Sequence, residues 1–158
     1  MVVAELATPT NFSPTVSDTT DPVLIIDTGP LVATADRDDP DHDACQSLLE
    51  SAPGPLVTNA LVIAEAAFLI TRQVGTAGES ALVADVIDGR LVVEALTIAD
   101  WERVRELIDQ YADLPLGTTD ASVIALAERH GVIEVATLDH RHFHVVRPTH
   151  AEAFTLSP

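Results

Sequence analysis

The sequence predicts an α/β fold with a central, mainly parallel sheet and helices on both faces. Short apolar runs with strand character alternate along the chain with longer segments of helical periodicity, at residues 23–26, 55–58, 91–93 and 132–136. Strands and helices that alternate in this way form parallel sheets through right-handed crossovers. With 158 residues, of which 47% are hydrophobic, the chain has enough apolar material for one such domain.

The composition sets the expected domain boundary and compartment. Residues 1–22 are rich in Thr, Ser, Pro and Asp and are interpreted as a flexible leader, so the predicted domain covers residues 23–158. The leader lacks the features of a secretory signal, and no apolar run approaches the ~20 residues of a membrane span. Cys45 is the single cysteine, which excludes an internal disulfide and favours a reducing compartment. We therefore expect a cytoplasmic protein with no membrane partner.

The charge balance limits how the chain could contact a nucleic acid. The net charge is −17, and all eight basic residues are Arg. Nucleic-acid backbones are usually bound by basic patches, which argues against a broad interface. Carboxylates that hold divalent cations can nevertheless present a positive face to a phosphate. Any such contact should be local, through a few Arg side chains and bound metal.

The first strand, Val23 to Ile26, ends in Asp27. Four consecutive apolar residues are typical of a strand buried on both faces at the centre of a parallel sheet. Thr28, Gly29 and Pro30 then turn the chain, which places Asp27 at the carboxyl end of the strand, where α/β sheets bind ligands. The alternative is that Asp27 merely caps the following helix.

A dense acidic run follows at residues 36–43. Asp39, Asp41 and Asp43 of this run, together with Glu50 beyond it, match the spacing of an EF-hand calcium loop, but the position that requires Gly is Ala44. Apolar residues recur at helical spacing straight through the segment. We therefore interpret the run as a helix start, with Asp39 as N-cap and Pro40 at the first helical position.

The second strand leads into a helix with one acidic residue. Thr58 or Asn59 is the expected cap, and every residue from Ala60 to Ile70 is apolar except Glu65. A helix that is apolar all round should be buried, so Glu65 needs a partner there. The partner is either Arg72, the nearest Arg in the sequence, or a functional one, namely a metal ion or a hydrogen-bonded site.

Three further segments complete the middle of the chain. Residues 79–88 predict a helix with Ala81, Leu82, Val86 and Ile87 facing inward, and residues 91–93 predict the third strand. Thr97 caps a helix that runs to Gln110, with a core stripe of Trp101, Val104, Leu107 and Ile108. Its Arg103 and Arg105 are interpreted as a solvated helix face.

The last third of the chain contains two more acids at positions of interest. Thr118 or Thr119 begins a helix with Asp120 in its first turn, where an acid also favours the helix dipole, and Gly131 ends that helix. The fourth strand is followed by Asp139. Three alternating histidines come next, His140, His142 and His144, and are interpreted as a loop rather than a zinc site; residues 153–155 predict an edge strand.

Parallel strands bring these acids towards one edge of the sheet. Asp27 and Asp139 should emerge at the carboxyl edge, with Asp120 low on a helix near it, and Glu65 reaches the same place if its helix crosses the strand ends. Carboxylates in a small space raise one another's pKa, and a hard divalent ion such as Mg²⁺ or Mn²⁺ would relieve this.

The order of these motifs resembles the PIN-domain nucleases, and within them the VapC toxins of bacterial toxin–antitoxin pairs. The similarity rests on four segments and covers roughly residues 23–155: residues 26–29, Glu65 in its apolar helix, residues 116–122, and residues 137–139 with Phe143 following. It implies a three-layer α/β/α domain and a Mg²⁺- or Mn²⁺-dependent endoribonuclease with an RNA substrate. It also implies a homodimer and a cognate antitoxin protein that blocks the site.

The resemblance assigns roles residue by residue. Asp27 and Asp120 match the principal metal ligands, and Glu65 and Asp139 match the other two acids of the catalytic pocket. Thr28 stands where the family often has a small hydroxyl residue that assists the first Asp. The chain departs from the family pattern at Gly29, often Ser, and at His140, often Arg.

Two other enzyme classes and one binding function compete with the nuclease. Asp27-Thr28-Gly29 is also the triplet of retroviral-type aspartic proteases, which are almost wholly β. Haloacid-dehalogenase-type phosphatases need a second Asp where Gly29 stands. A non-catalytic PIN-like domain that binds a partner protein would carry the same acids as the nuclease.

Overall fold

The computed structural model describes residues 22–158, which form five strands and seven helices. The proposed leader therefore lies, except for Pro22, outside the described residues. In chain order the elements are β1 (Leu24–Ile26), α1 (Thr28–Ala35), α2 (His42–Ser51), β2 (Leu56–Asn59), α3 (Ala60–Gln73), α4 (Thr76–Ile87), β3 (Leu91–Glu94), α5 (Ile98–Gln110), α6 (Thr118–His130), β4 (Glu134–Ala136), α7 (His140–Val145) and β5 (Thr155–Ser157).

The sheet has the order β3-β2-β1-β4-β5, and every strand pair in it is parallel. The prediction of an α/β fold with a central, mainly parallel sheet is confirmed. β1 lies at the centre, between β2 and β4, and all three of its residues are buried.

The strand order reverses direction on either side of β1. From β1 the chain moves outward to β2 and β3, and then returns past β1 to β4 and β5. Because crossovers are right-handed, connections that run in opposite directions lie on opposite faces of the sheet, which gives three layers. The carboxyl ends of β1 and β4 form the topological switch point, where such sheets bind ligands.

Helix α3 is less buried than its composition predicts. Only Val62, Ala66 and Ile70 are buried, at the spacing of one helix face, whereas Phe68 is 59% exposed. Glu65 lies on the exposed part of the helix, so the expectation that its carboxylate is buried is wrong. Arg72 instead places its guanidinium 5.4 Å from the centre of the Phe68 ring.

The acidic segment before α2 leads into a helix, as predicted, but that helix begins at a later residue than predicted. Helix α2 covers most of the segment that a calcium loop would need, which excludes the EF-hand. The helix begins at His42, two residues later than predicted, and Asp41 rather than Asp39 occupies the N-cap position. Asp39 instead accepts a hydrogen bond of 2.8 Å from the backbone N–H of Asp41, which stabilises the turn before the helix.

Several other local expectations need correction. The histidine segment is the short helix α7 rather than a loop, and β5 begins at Thr155, two residues later than predicted. Trp101 and Ile87 are 43% and 78% exposed and do not face the core. Within the described residues, no helix has both the length and the apolar character that crossing a membrane requires.

Candidate metal centre

Asp27 directly follows β1 and is only 4% exposed. It occupies the N-cap position of α1, but its side chain makes no capping hydrogen bond, so helix capping does not account for the carboxylate. Its Oδ2 accepts a hydrogen bond of 2.7 Å from the hydroxyl of Thr137. Burial raises the pKa of Asp27 from 3.8 to about 6; the negative charges of Asp120 and Glu65 add to this, and the Thr137 hydroxyl opposes it. Asp27 is therefore ionised at neutral pH only at a cost, which a cation would offset.

Asp120 is the third residue of α6. Its Oδ2 accepts a 3.3 Å hydrogen bond from the backbone N–H of Gly117, the residue at the N-cap. Burial also raises the pKa of Asp120, and the negative charges of Asp139 and Glu65 raise it further. Two of the predicted site residues, Asp27 and Asp120, are thus carboxylates whose surroundings oppose their negative charge.

A buried hydrogen-bonded pair fixes the first turn of α6 against the start of α3. Asn59, the N-cap of α3, accepts a hydrogen bond of 2.9 Å from the backbone N–H of Leu61 through Oδ1. Its Nδ2 donates to the hydroxyl of Ser122 over 3.0 Å, and both side chains are fully buried. Since Ser122 is two residues beyond Asp120, this contact holds the Asp120 end of α6 close to the helix that carries Glu65.

Glu65 contacts the residue that follows Asp27. Its Oε2 accepts a hydrogen bond of 2.7 Å from the hydroxyl of Thr28. The structure therefore brings Glu65 to the carboxyl end of β1, as predicted, although from the exposed part of α3. The hydroxyl of Thr28 is hydrogen-bonded to Glu65, whereas the hydroxyl bonded to Asp27 comes from Thr137.

Asp139 is the N-cap of α7 and lies near Asp120. Its Oδ1 accepts a hydrogen bond of 3.2 Å from the backbone N–H of His142, and its Oδ2 lies 2.7 Å from Nδ1 of the same residue. Nδ1 of His142 is also 3.4 Å from Oδ2 of Asp120. Within residues 22–158, Asp120, Asp139 and His142 form the one group whose candidate ligand atoms all lie within 4.8 Å of one another.

The donor set matches a hard divalent cation. Asp120 and Asp139 belong to the close group, whereas Asp27 and Glu65 lie outside it but near enough for the charges of Asp120 and Glu65 to raise the pKa of Asp27. Carboxylate oxygens are the ligands that Mg²⁺ and Mn²⁺ prefer. The residues present therefore fit such an ion.

Comparison with known proteins identifies the family. A family model described as the PIN domain matches residues 24–147. The chain belongs to the PIN-domain family. The resemblance noted from the sequence motifs is thereby confirmed, and the parallel sheet excludes the aspartic-protease alternative.

The chain is similar to two known proteins over most of their length. The chain is 33% identical over 135 residues to Ribonuclease VapC26 of Mycobacterium tuberculosis, a match that covers 85% of this chain and 100% of that protein. The crystal structure of VapC20 of M. tuberculosis, described as a Sarcin-Ricin loop cleaving toxin, has a TM-score of 0.70 at 22% identity. That match covers 75% of this chain and 92% of VapC20 and shows the fold.

Two residues of this PIN-domain site have contacts that sequence reasoning missed. Thr137 is fully buried; its hydroxyl donates to Asp27 and accepts from the backbone N–H of Asp139 over 3.0 Å, so it links two of the acids. Thr137 lies in the turn after β4, which ends in an Asp as the first strand does, so the sequence contains a signal for its position near the site. The sequence does not distinguish His142 from its neighbours, because a row of alternating histidines does not reveal which ring faces the acids.

The departure from the family pattern at Gly29 has a steric explanation. A Cβ atom at this position would lie 3.0 Å from Cβ and 3.2 Å from Cγ of Leu138, closer than ordinary van der Waals contact. Leu138 lies between Thr137 and Asp139. Gly29 therefore allows the start of α1 to approach the turn that carries Asp139.

Proposed function

We propose that this PIN-domain protein is a divalent-metal-dependent endoribonuclease that acts as the toxin of a toxin–antitoxin pair. The observation that carries the proposal is the buried Asp27 carboxylate at the switch point of the sheet, whose pKa is raised to about 6 by burial and by the charges of Asp120 and Glu65. Asp139 lies beside Asp120 in the same close group. The 33% identity to a protein named Ribonuclease VapC26 supports the reaction class.

We assign the metal to Asp27, Glu65, Asp120 and Asp139, and the ion to Mg²⁺ or Mn²⁺. When bound, such an ion activates water and neutralises charge on a phosphodiester. Thr137 holds the Asp27 carboxylate through its hydroxyl, and Thr28 holds Glu65. These hydrogen bonds orient the carboxylates before substrate arrives, so that little reorganisation is needed during the reaction.

The partners in this proposal are an RNA substrate, a cognate antitoxin protein and a second copy of the chain. With a net charge of −17, the protein should bind RNA through the metal site and a few Arg side chains rather than a broad basic face. The homodimer is proposed from the resemblance to the VapC toxins. Light scattering on the purified protein tests the dimer directly.

The first experiment is cleavage of total cellular RNA by the purified protein in Mg²⁺, in Mn²⁺ and in EDTA. We expect discrete fragments that need metal and disappear in Asp27→Asn. Asp109→Asn is the matched control, because Asp109 is an exposed acid on α5 outside the site. The control should cleave like the wild type.

The outcomes separate the nuclease from a binding module. Full cleavage by a clean preparation of Asp27→Asn contradicts the role assigned to Asp27. No metal-dependent cleavage by the wild type, together with growth that is equally unaffected by expression of the wild type and of Asp27→Asn, favours the non-catalytic PIN-like domain. Growth arrest that the Asp27→Asn substitution abolishes supports the toxin.

A further inference from the structure

His142 holds both carboxylate oxygens of Asp139. The backbone N–H of His142 donates to Oδ1 over 3.2 Å, and the ring nitrogen Nδ1 lies 2.7 Å from Oδ2. The Asp139 side chain is 41% exposed, so without these two contacts it would be free to rotate in solvent.

The same ring nitrogen also reaches Asp120. Nδ1 lies 3.4 Å from Oδ2 of Asp120, and the His142 side chain is only 15% exposed. One imidazole therefore lies between two carboxylates that come from different elements, α6 and the turn before α7. No other ring in the described part of the chain has this arrangement with the proposed metal ligands.

The contacts of Nδ1 determine what His142 can do. Nδ1 lies 2.7 Å from Oδ2 of Asp139 and 3.4 Å from Oδ2 of Asp120. An ionised carboxylate oxygen can only accept a hydrogen bond, so Nδ1 carries a proton and donates it to Asp139. The ring nitrogen that faces the two carboxylates therefore has no lone pair for a metal, and His142 orients these carboxylates rather than joining them as a ligand.

We propose that His142 is a positioning residue that holds Asp139, and with it Asp120, in the geometry that binds the cation. This inference rests on the proposed function, because it takes the two carboxylates as metal ligands. Hydrogen-bonded groups behind a metal ligand fix its orientation, and their loss typically weakens metal affinity by about 10–100-fold.

A matched pair of substitutions isolates the hydrogen bond from the bulk of the ring. His142→Asn places an amide N–H close to the position of Nδ1, and His142→Leu has the same number and branching of heavy atoms as Asn but no donor. Both variants lose the outer part of the ring, so they share any packing defect. The measurement is isothermal titration of Mn²⁺ into the full-length, metal-free protein, with thermal melting in EDTA as the check on folding.

We expect His142→Leu to raise the Kd for Mn²⁺ by about 10–100-fold and His142→Asn to remain within about threefold of the wild type. Equal weakening in both variants, or no weakening in either, overturns the positioning role. Asp120→Asn separates the two proposals. If Asp120→Asn abolishes binding while His142→Leu binds normally, this inference alone fails. If the wild type does not bind Mn²⁺, the proposed metal site fails and this inference fails with it.

Discussion

Replacing Asp27 by Asn is expected to stabilise the metal-free protein at neutral pH much more than at acidic pH. Asp27 is buried, and its pKa in the folded protein is raised, so the folded state disfavours the ionised form. At a pH below the ordinary pKa of Asp, Asp27 is protonated in both the folded and the unfolded state, so the free energy of unfolding is not reduced. As the pH rises past that value towards the raised pKa, the unfolded chain releases its proton first, and the folded state loses stability. Asn has no proton to release and escapes this loss.

The magnitude follows from the two pKa values. The pKa of Asp27 is about 6 in the folded protein, compared with an ordinary value of 3.8. Each pKa unit corresponds to ~1.4 kcal/mol, so well above the raised pKa the free energy of unfolding is lower by ~3 kcal/mol. At about pH 4.5 only ~1 kcal/mol of this loss has developed. The advantage of Asp27→Asn over the wild type should therefore grow by ~2 kcal/mol between about pH 4.5 and about pH 7.5.

Urea unfolding followed by circular dichroism measures this difference at both pH values in EDTA. Comparing the two pH values removes the constant effect of the new amide, whose N–H groups need acceptors. Asp109→Asn, on the surface of α5, should show no such growth. Added Mn²⁺ should raise the stability of the wild type more than that of Asp27→Asn. If the advantage of Asp27→Asn is the same at both pH values, the buried carboxylate is not the destabilising group and the reasoning is refuted.

Three further substitutions test separate parts of the structure. Thr137→Val removes the hydroxyl that donates to Asp27 and that accepts from the backbone N–H of Asp139. We expect the free energy of unfolding in urea to fall by ~1–3 kcal/mol and RNA cleavage to be slower. Gly29→Ala puts a Cβ atom 3.0 Å from Cβ of Leu138 and should lower the free energy of unfolding by ~1–3 kcal/mol. Unchanged stability and Mn²⁺ affinity would show that the turn around Leu138 can shift to make room for the methyl group. Arg129→Met leaves Asp100, which is 5% exposed, without its Arg partner and should lower the free energy of unfolding by ~3 kcal/mol. Cleavage at low temperature should stay normal, because this ion pair joins α5 to α6 and lies outside the proposed site. Cleavage lost in the folded Arg129→Met protein would contradict that purely structural role.

Local sequence signals predicted the strands and several helix ends well. Asn59, Thr97 and Gly131 act as helix caps where their side chains or conformational freedom predict it. These features depend on residues a few positions apart, so the chain alone contains the information. The acidic segment was harder, because several Asp residues compete for one N-cap and packing selects the register of α2.

In the proposed site, too, the sequence predicted some features and packing decided others. Asp27 and Asp139 were placed at one sheet edge from chain order alone, because the carboxyl ends of parallel strands share an edge. Asp120 followed from its place at the start of the helix that leads into β4. For Glu65 the sequence predicted a role but the wrong environment, since composition cannot reveal that part of an apolar helix face stays exposed.

The sequence by itself determined the order of strands and helices, the parallel sheet and the four acids near its switch point, because hydrophobic periodicity and helix caps are local and parallel topology follows from their alternation. Only the tertiary structure decided the contacts among groups far apart in the chain. The hydroxyl of Thr137 reaches Asp27 across 110 positions, and the ring of His142 on α7 lies beside Asp120 on α6. Such contacts depend on how separate elements pack and on the rotamers that packing selects, and no spacing within one segment specifies them.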